Sequence, residues 1–418
     1  MSRKSAWAQQ WPILTTTRVR SRHIVHTFAG ELEVLGHLVV RLLVGWTLGL
    51  AGQHIFYIYE RSWQVARPNP FTQWDAAHYL RIAAHGYDVH LTPFFPLYPL
   101  LVRWLHGASF GFLGYDVSGV LMSVAALFAA VIVTHLFLSE LLDRDSARFG
   151  VLLLIWSPAS VFLLANYNVS LLVLLMSCVS LFLLRGNYYA ASIAASLASA
   201  SHPLGLSAVV AIGVAVVAKR EWRKLLPCLA ISVSGFAAYC FYLTLKFSSP
   251  LEFQTQQRFF GKRFTLPFES LWTSFFRVFR ENLDPAGASG MQFVFQFEMV
   301  TAFIAIVSIA YLVVRLWRNS TPHIPVWLVA MAMYQVFVAA TLSAVPVFHF
   351  PLTGGGVCTV ALQVPVSYSR WFFTSVGFLT VASVVTRRSP RLRQSILLAS
   401  AAFAIFLQTM FVAGLRYF

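Results

Sequence analysis

Long apolar stretches, separated by short polar segments, run through almost the whole chain. Stretches near 20 residues that break at charges, Pro and Gly are typical of membrane-spanning helices. Divided in this way, the sequence predicts about eleven spans, at residues 34–59, 117–142, 149–166, 168–184, 189–201, 203–218, 225–247, 298–317, 325–345, 370–386 and 394–415. The expected fold class is therefore an all-α polytopic membrane protein.

Composition supports the same class. Hydrophobic residues make up 58% of the 418 residues and charged residues 11%, whereas soluble domains carry about 25% charged residues. The net charge of +16 would suggest a nucleic-acid partner in a soluble protein. In a membrane protein it is better explained by Lys and Arg in the loops that stay cytoplasmic, so no nucleic acid is expected.

The basic loops predict how the chain is oriented. With a cytoplasmic N-terminus, the strongly basic segments at 219–224, 315–318 and 386–393 all fall on the cytoplasmic side. We expect a basic cytoplasmic tail at 1–33, whose following span acts as the targeting signal, and one membrane domain at 34–418. Three longer loops then lie outside the cytoplasm, at about 60–116, 248–297 and 346–369.

The first of these loops contains the segment "FTQWDAAHYLRIAAHGYD", residues 71–88. Thr72 followed by Asp75 resembles a helix-capping box with Asp in place of Glu, and Gly86 is a natural stop. At 100° per residue, Asp75, His78, Arg81 and His85 share an arc of roughly 120°. We expect a helix that lies along the membrane surface with its apolar side down.

Two interpretations of this helix stay open. Asp75 could simply cap the helix start, with Arg81 paired to it or to a lipid phosphate. Alternatively, the ionisable cluster belongs to a functional site at the membrane face. The next segment, "LTPFFPLYPLLVRWL" (91–105), contains three prolines, so it is expected to form a folded or re-entrant piece that lines a cavity.

Four segments resemble the PIG-V family, which comprises GPI mannosyltransferase 2 and related bacterial integral-membrane mannosyltransferases of the GT-C glycosyltransferase fold. The specific one is "WDAAHYLRIAAHGY" (74–87) followed by "FFPLYP" (94–99). The others are "SPASVFL" (157–163), "SPLEFQTQQRFFGKR" (249–263) and "SRWFF" (369–373). In outline the resemblance covers residues 35–390.

The resemblance implies transfer of mannose from a dolichyl- or polyprenyl-phosphate carrier on the lumenal or periplasmic side. An acid in the first loop would be the catalytic base, which points to Asp75. Such a transfer, with inversion, needs a carboxylate for the acceptor's proton and cations for the departing phosphate. The candidate donor- and sugar-binding residues are His78, Arg81, Gln257, Arg258, Lys262, Arg263 and Arg370.

The resemblance also implies the setting and the partners. The acceptor would be a GPI intermediate in the endoplasmic reticulum of a eukaryote, or a periplasmic glycoconjugate at the inner membrane of a bacterium. Membrane lipids, the lipid-linked sugar and the glycolipid acceptor are the expected partners, with a small membrane subunit as a further possibility. No cofactor or metal-ligand set is predicted, and a metal requirement is left open.

Two positions depart from the family pattern. Val169 stands where relatives commonly carry Glu, and His202 stands where many carry Arg. Either the substrate contacts are arranged differently, or the chain is a diverged member with altered or lost activity. The alternative function is thus a non-catalytic or transport protein of the membrane. The chain has no P-loop, zincin or serine-hydrolase motif, which argues against those enzyme classes.

Overall fold

The computed structural model describes residues 22–59, 69–269, 271–273, 275, 291–319, 323–344, 347–351, 357–361, 364–365 and 367–412. Residues 1–21, most of the predicted cytoplasmic tail, lie outside this part of the chain. The described residues are mostly helical, which confirms the helical class expected from the sequence.

The α-helices are α1 (Arg22–Tyr59), α2 (Asp75–His85), α3 (Leu97–Ala108), α4 (Tyr115–Leu141), α5 (Arg144–Ile155), α6 (Val161–Leu164), α7 (Val169–Leu184), α8 (Tyr188–Ser201), α9 (Leu206–Ala218), α10 (Trp222–Phe247), α11 (Glu252–Thr255), α12 (Met291–Trp317), α13 (Val326–Ala340), α14 (Tyr368–Phe372), α15 (Val376–Val385) and α16 (Pro390–Val412). Short 3₁₀ helices form at Val89–Leu91, Pro203–Gly205 and Gln256–Phe260.

Five helices of the described chain are long and apolar enough to cross a membrane. They are Leu32–Ala51 of α1, α4, α10, Phe295–Trp317 of α12, and α16. Four shorter apolar helices, within α7, α9, α13 and α15, add to them. Each of the predicted spans contains at least one helix, but the stretches at 149–166 and 370–386 are each interrupted.

Buried Arg41 of α1 supports one of these interruptions. Its guanidinium donates through Nε and Nη2 to Ser160 Oγ, at 3.1 and 3.0 Å, between the end of α5 and the start of α6. It also lies 5.8 Å from the ring centre of Trp156. Irregular backbone at membrane depth is tolerated where protein groups satisfy it. These contacts give Arg41 a structural role.

Small residues let the central helices approach closely. A Cβ at Gly235 of α10 would lie 2.0 Å from the carbonyl oxygen of Ser196 on α8, a distance that no real side chain adopts. Helix α10 therefore packs backbone to backbone against α8, as small residues permit in membrane bundles.

Replacing Gly235 with Ala is expected to lower the melting temperature in detergent, because α8 and α10 must separate, at a cost of about 1–3 kcal/mol. The matched control is Gly213→Ala on α9, where the nearest atom would lie at an ordinary 3.5 Å. That control should melt at or above the wild-type temperature, because Ala favours a helix over Gly. Equal melting of the two variants would contradict this packing.

Short strands add to the helical architecture in two of the predicted loops and, for Leu342–Ala344, at the end of the predicted span 325–345. β1 (Lys262–Phe264), β2 (Leu342–Ala344) and β5 (Val364–Pro365) form one antiparallel sheet in the order β1-β2-β5. β3 (Val347–Pro351) and β4 (Val357–Ala361) form a hairpin. The fold class stays all-α, with these short strands as a local addition. Backbone groups in these loops pair with one another rather than within helices.

Ion pairs join several polar segments at one end of the bundle. Arg387 Nε lies 2.7 Å from Asp143 Oδ2, and Arg185 pairs with Glu140. Both acids lie at or just beyond the C-terminal end of α4, a helix of 27 residues and thus about 40 Å long. Helix α2 packs near the other end of α4, so Asp75 lies at the end of the bundle opposite these basic loops.

Candidate active site

Helix α2 spans Asp75–His85 and ends at Gly86, whose φ of 80° suits glycine. The predicted capping box does not form. Trp74 occupies the N-cap with a φ of 59°, and its side chain makes no capping hydrogen bond. Thr72 Oγ1 instead donates to the carbonyl oxygen of Asn69 at 2.7 Å, because the loop before Trp74 uses this hydroxyl for its own turn. Strained backbone of this kind often occurs beside functional groups.

The side chain of Asp75, at the start of α2, meets Arg370 of α14. Arg370 Nη1 donates to Asp75 Oδ2 at 3.0 Å. The Asp75 side chain is 25% exposed and that of Arg370 is 7% exposed. The carboxylate can therefore be reached from outside, while the guanidinium is held almost entirely inside the protein.

Arg370 is fixed by several groups. Its Nη2 donates to Ser367 Oγ at 3.1 Å. Its Cζ atom lies 4.9–5.4 Å from the ring centres of Trp371, Phe162 and Tyr167, which are cation–π distances. Within the described residues, the buried Nε atom finds no hydrogen-bond acceptor. A buried donor of this kind is available to an anionic ligand.

Lys262 supplies a second positive charge. It begins β1, where it pairs with Ala344 of β2, and β2 pairs with β5 just before α14. The small sheet thus ties the segment of Lys262 to the segment of Arg370. Burial and the charge of Arg370 lower the pKa of the Lys262 ammonium, although Asp75 opposes the shift.

The pKa of Asp75 shows which effect dominates at this site. Burial alone would raise it, but the charges of Arg370 and Lys262 and the hydrogen bond from Arg370 hold it below its ordinary value. His78 adds a smaller effect in the same direction. Asp75 is therefore ionised at neutral pH. With two cations around one carboxylate, the site keeps surplus positive charge.

The structure brings Asp75, His78, Lys262 and Arg370 into one electrostatic cluster. The imidazole of His78 packs against Phe94 and Phe260, with ring centres 4.8 and 5.2 Å away.

The other predicted site residues of this loop, Gln257, Arg258 and Arg263, are not part of this charged cluster in the same way as Lys262. Gln257 is half-buried, and its buried Oε1 has no hydrogen-bond partner in the described part of the chain. Arg258 and Arg263 are exposed.

The predicted single charged face of α2 is divided in the structure. Arg81 is 62% exposed and lies 3.5 Å from Asp88 Oδ2. Together with His85 and Asp116 it lines an open groove between α2 and the start of α4. Asp75 and His78 are instead covered by α14 and by the segment that carries Phe260 and Lys262. Arg81 is therefore not beside Asp75.

The two positions that depart from the family pattern lie in different settings. Val169 is fully buried at the start of α7. His202 stacks on Trp371 with ring centres 4.0 Å apart, and its Nδ1 accepts the backbone N–H of Leu204. Burial and the nearby charges of Arg370 and Lys262 lower the pKa of His202 well below its usual value. His202 is thus a neutral side chain next to the two cations.

Sequence reasoning missed Ser367, Tyr167 and Glu298. Glu298 of α12 is 2% exposed and accepts hydrogen bonds from Ser369, the residue before Arg370. A single acid at the start of an otherwise apolar span is a signal that could have revealed it. Among the residues that the structure describes, no three His, Cys, Asp or Glu side chains are grouped to hold a metal ion.

Together, the apolar helices and the partly buried cluster of Asp75 with two cations define an integral membrane protein with an enzyme-like site. The family model described as mannosyltransferase (PIG-V) matches residues 58–267, half of the chain, and the protein belongs to this family. It is therefore a glycosyltransferase. No curated protein and no solved structure matches the chain. The matched range includes Asp75 and Lys262 but ends before Arg370.

Proposed function

We propose that the protein transfers mannose from a polyprenyl- or dolichyl-phosphate carrier to a hydroxyl group of a glycolipid, with Asp75 as base. The observation that carries this proposal is the Asp75–Arg370 pair with Lys262 beside it. One carboxylate and two cations are what a phosphate leaving group and a hydroxyl nucleophile require. The proposed architecture is of the GT-C type, with about eleven spans.

In the proposed reaction, the acceptor oxygen forms a bond to the anomeric carbon of mannose. The bond from that carbon to the phosphate oxygen breaks, and its electron pair leaves with the carrier phosphate. Asp75 takes the proton of the attacking hydroxyl, while Arg370 and Lys262 stabilise the charge that develops on the phosphate. Attack opposite the departing phosphate inverts the anomeric carbon.

The contact between Arg370 and Asp75 explains how the base could become active. In the free protein the guanidinium neutralises the carboxylate at 3.0 Å. A donor phosphate would compete for the same guanidinium, whose Nε has no acceptor among the described side chains and backbone groups. Arrival of the donor would thus loosen the hold on Asp75 and make it a stronger base.

The surroundings of the site support a lipid-linked donor and acceptor. Apolar helices flank it, and a long isoprenoid chain can stay in the membrane while its phosphate reaches Arg370. The basic loops at the far end of the bundle favour a periplasmic or lumenal site. The acceptor would then be a GPI intermediate in a eukaryote or a periplasmic glycoconjugate in a bacterium.

A donor comparison tests this function. The purified protein, in liposomes with a lipid extract as acceptor source, is given mannose either as polyprenyl-phosphate mannose or as GDP-mannose. Transfer from the lipid donor alone is expected. Transfer from the nucleotide sugar alone would refute the proposed donor. Absence of transfer from both donors to every acceptor offered would favour the non-catalytic alternative.

The pH dependence provides a further prediction. A base acts only above its pKa, and Arg370 and Lys262 lower the pKa of Asp75 in the free protein. When the donor phosphate draws Arg370 away, that pKa rises. The acidic limb of kcat/KM, which reports the free enzyme, should therefore lie at lower pH than the limb of kcat, which reports the complex. Profiles extended below about pH 4, the ordinary Asp value, check this; coinciding limbs would contradict it.

A further inference from the structure

Glu298 is a buried acid that the proposed reaction does not use directly. It lies near the start of the apolar helix α12 and is 2% exposed. Its Oε1 accepts the hydroxyl of Ser369 at 2.6 Å, and its Oε2 accepts the backbone N–H of Ser369 at 3.0 Å. Ionisable residues inside membrane segments are costly and usually functional, so this carboxylate calls for an explanation.

The explanation lies in the helix that carries Arg370. α14 has only five residues, and its N-cap, Ser367, has a φ of 59° with no capping side-chain hydrogen bond. Serine at this position normally accepts a first-turn N–H. Here Ser367 Oγ accepts Arg370 Nη2 instead. The first turn would lack a capping acceptor without Glu298, and so short a helix is not stable alone.

We infer that Glu298 is a positioning residue, which caps α14 from a neighbouring helix and thereby holds the Arg370 guanidinium against Asp75 and the donor phosphate. This inference rests on the proposed function, because it assigns Glu298 to donor binding. Glu298 does not touch the reacting atoms. Its effect passes through Ser369 to the backbone of Arg370. Loss of the Glu298 carboxylate should therefore raise the KM for the donor and leave the KM for the acceptor unchanged.

A double-mutant cycle between Glu298 and Arg370 tests this. Glu298→Gln, Arg370→Lys and the double variant are compared in donor KM, acceptor KM, kcat and melting temperature. We expect Glu298→Gln to raise donor KM about tenfold or more, as for a lost hydrogen bond to a charged group, with acceptor KM unchanged. In the Arg370→Lys background the same change should raise donor KM by less than about twofold, because coupled residues are not additive.

Two variants keep the test decisive. Ser369→Ala removes only the hydroxyl contact and should give a smaller rise in donor KM in a folded protein, even if Glu298→Gln does not fold. Thr301→Val, one turn along α12, removes a buried hydroxyl that, within the described residues, bonds to the carbonyl of Phe297 in its own helix. This variant should leave donor KM unchanged. If it raised donor KM as much as Glu298→Gln does, the effect of Glu298→Gln would be explained by a general disturbance of α12.

The outcomes separate this inference from the proposed function. Wild-type donor KM in both Glu298→Gln and Ser369→Ala would overturn the positioning role, as would multiplicative losses in the cycle. Neither result affects the proposed function if the wild-type protein uses the lipid donor and Asp75→Asn does not. Should the wild-type protein use only a nucleotide sugar, the proposed donor fails, and the cycle is measured on that sugar instead.

Discussion

Asp75→Asn is expected to reduce mannosyl transfer by about 10²- to 10⁴-fold, the usual contribution of a general base. Asparagine keeps the shape of the side chain and can still accept a hydrogen bond from Arg370, but it cannot take a proton from the acceptor hydroxyl. Initial rates at saturating donor and acceptor measure the loss. Because the contact at 3.0 Å can persist, expression and melting temperature should stay close to those of the wild type.

The matched control is Asp88→Asn in the same loop. Asp88 is an exposed acid whose carboxylate accepts the backbone N–H of His90 and lies 3.5 Å from Arg81. Asparagine preserves the first of these contacts, so transfer should remain within about twofold of wild type, as is usual for a surface change. If Asp75→Asn kept the wild-type rate in a folded protein, the assignment of the base would be wrong.

Arg370→Gln is expected to have the second largest effect, a loss of about 10²- to 10³-fold in kcat/KM for the donor, comparable with removal of one oxyanion donor. It removes the charge for the phosphate and also leaves Asp75 with only Lys262 as a close cation. Arg370→Lys should lose less, because it keeps the charge but not the planar fork of donors. Steady-state kinetics at varied donor concentration distinguish the two variants.

Arg185→Gln is the control for this series. Arg185 is an exposed arginine paired with Glu140 at the far end of the bundle, and exposed ion pairs contribute little to stability. It should keep wild-type kinetics. Equal losses in Arg370→Gln and Arg370→Lys would contradict the advantage expected from the retained charge. Wild-type kinetics in both would remove Arg370 from the mechanism.

The helical framework was the part most accessible from the sequence, because apolar stretches report burial in a membrane directly. The interruption at residues 156–160 contains Pro158, a helix breaker that the division into spans did not use. The one at 373–375 contains neither Gly nor Pro, so no breaker marks it in the sequence. The capping box at Thr72 was predicted wrongly, because the helix has Trp74, with a positive φ of 59°, at its N-cap instead of Thr72. The pairing of β1 with β2 joins distant segments of the chain, which no local pattern reveals.

The site could be predicted only in part for a related reason. Resemblance identified Asp75 and Arg370 separately, but their contact joins positions 295 residues apart. Helical periodicity placed Arg81 with Asp75, yet periodicity says nothing about what covers each end of a helix. Helix α14 and the segment of Lys262 cover Asp75 and His78, whereas Arg81 and His85 on the same helix α2 stay outside this cover. The charged residues were therefore recognisable one by one, whereas their grouping required the fold.

The division of the charged cluster between two distant parts of the chain has an evolutionary consequence. The family model matches this chain as far as residue 267, and the guanidinium that pairs with Asp75 lies beyond that point. A relative could therefore match the same stretch and still lack an arginine at the position of Arg370. On the proposed mechanism, an acid at the position of Asp75 together with an arginine at the position of Arg370 would distinguish active transferases from chains that retain only the fold.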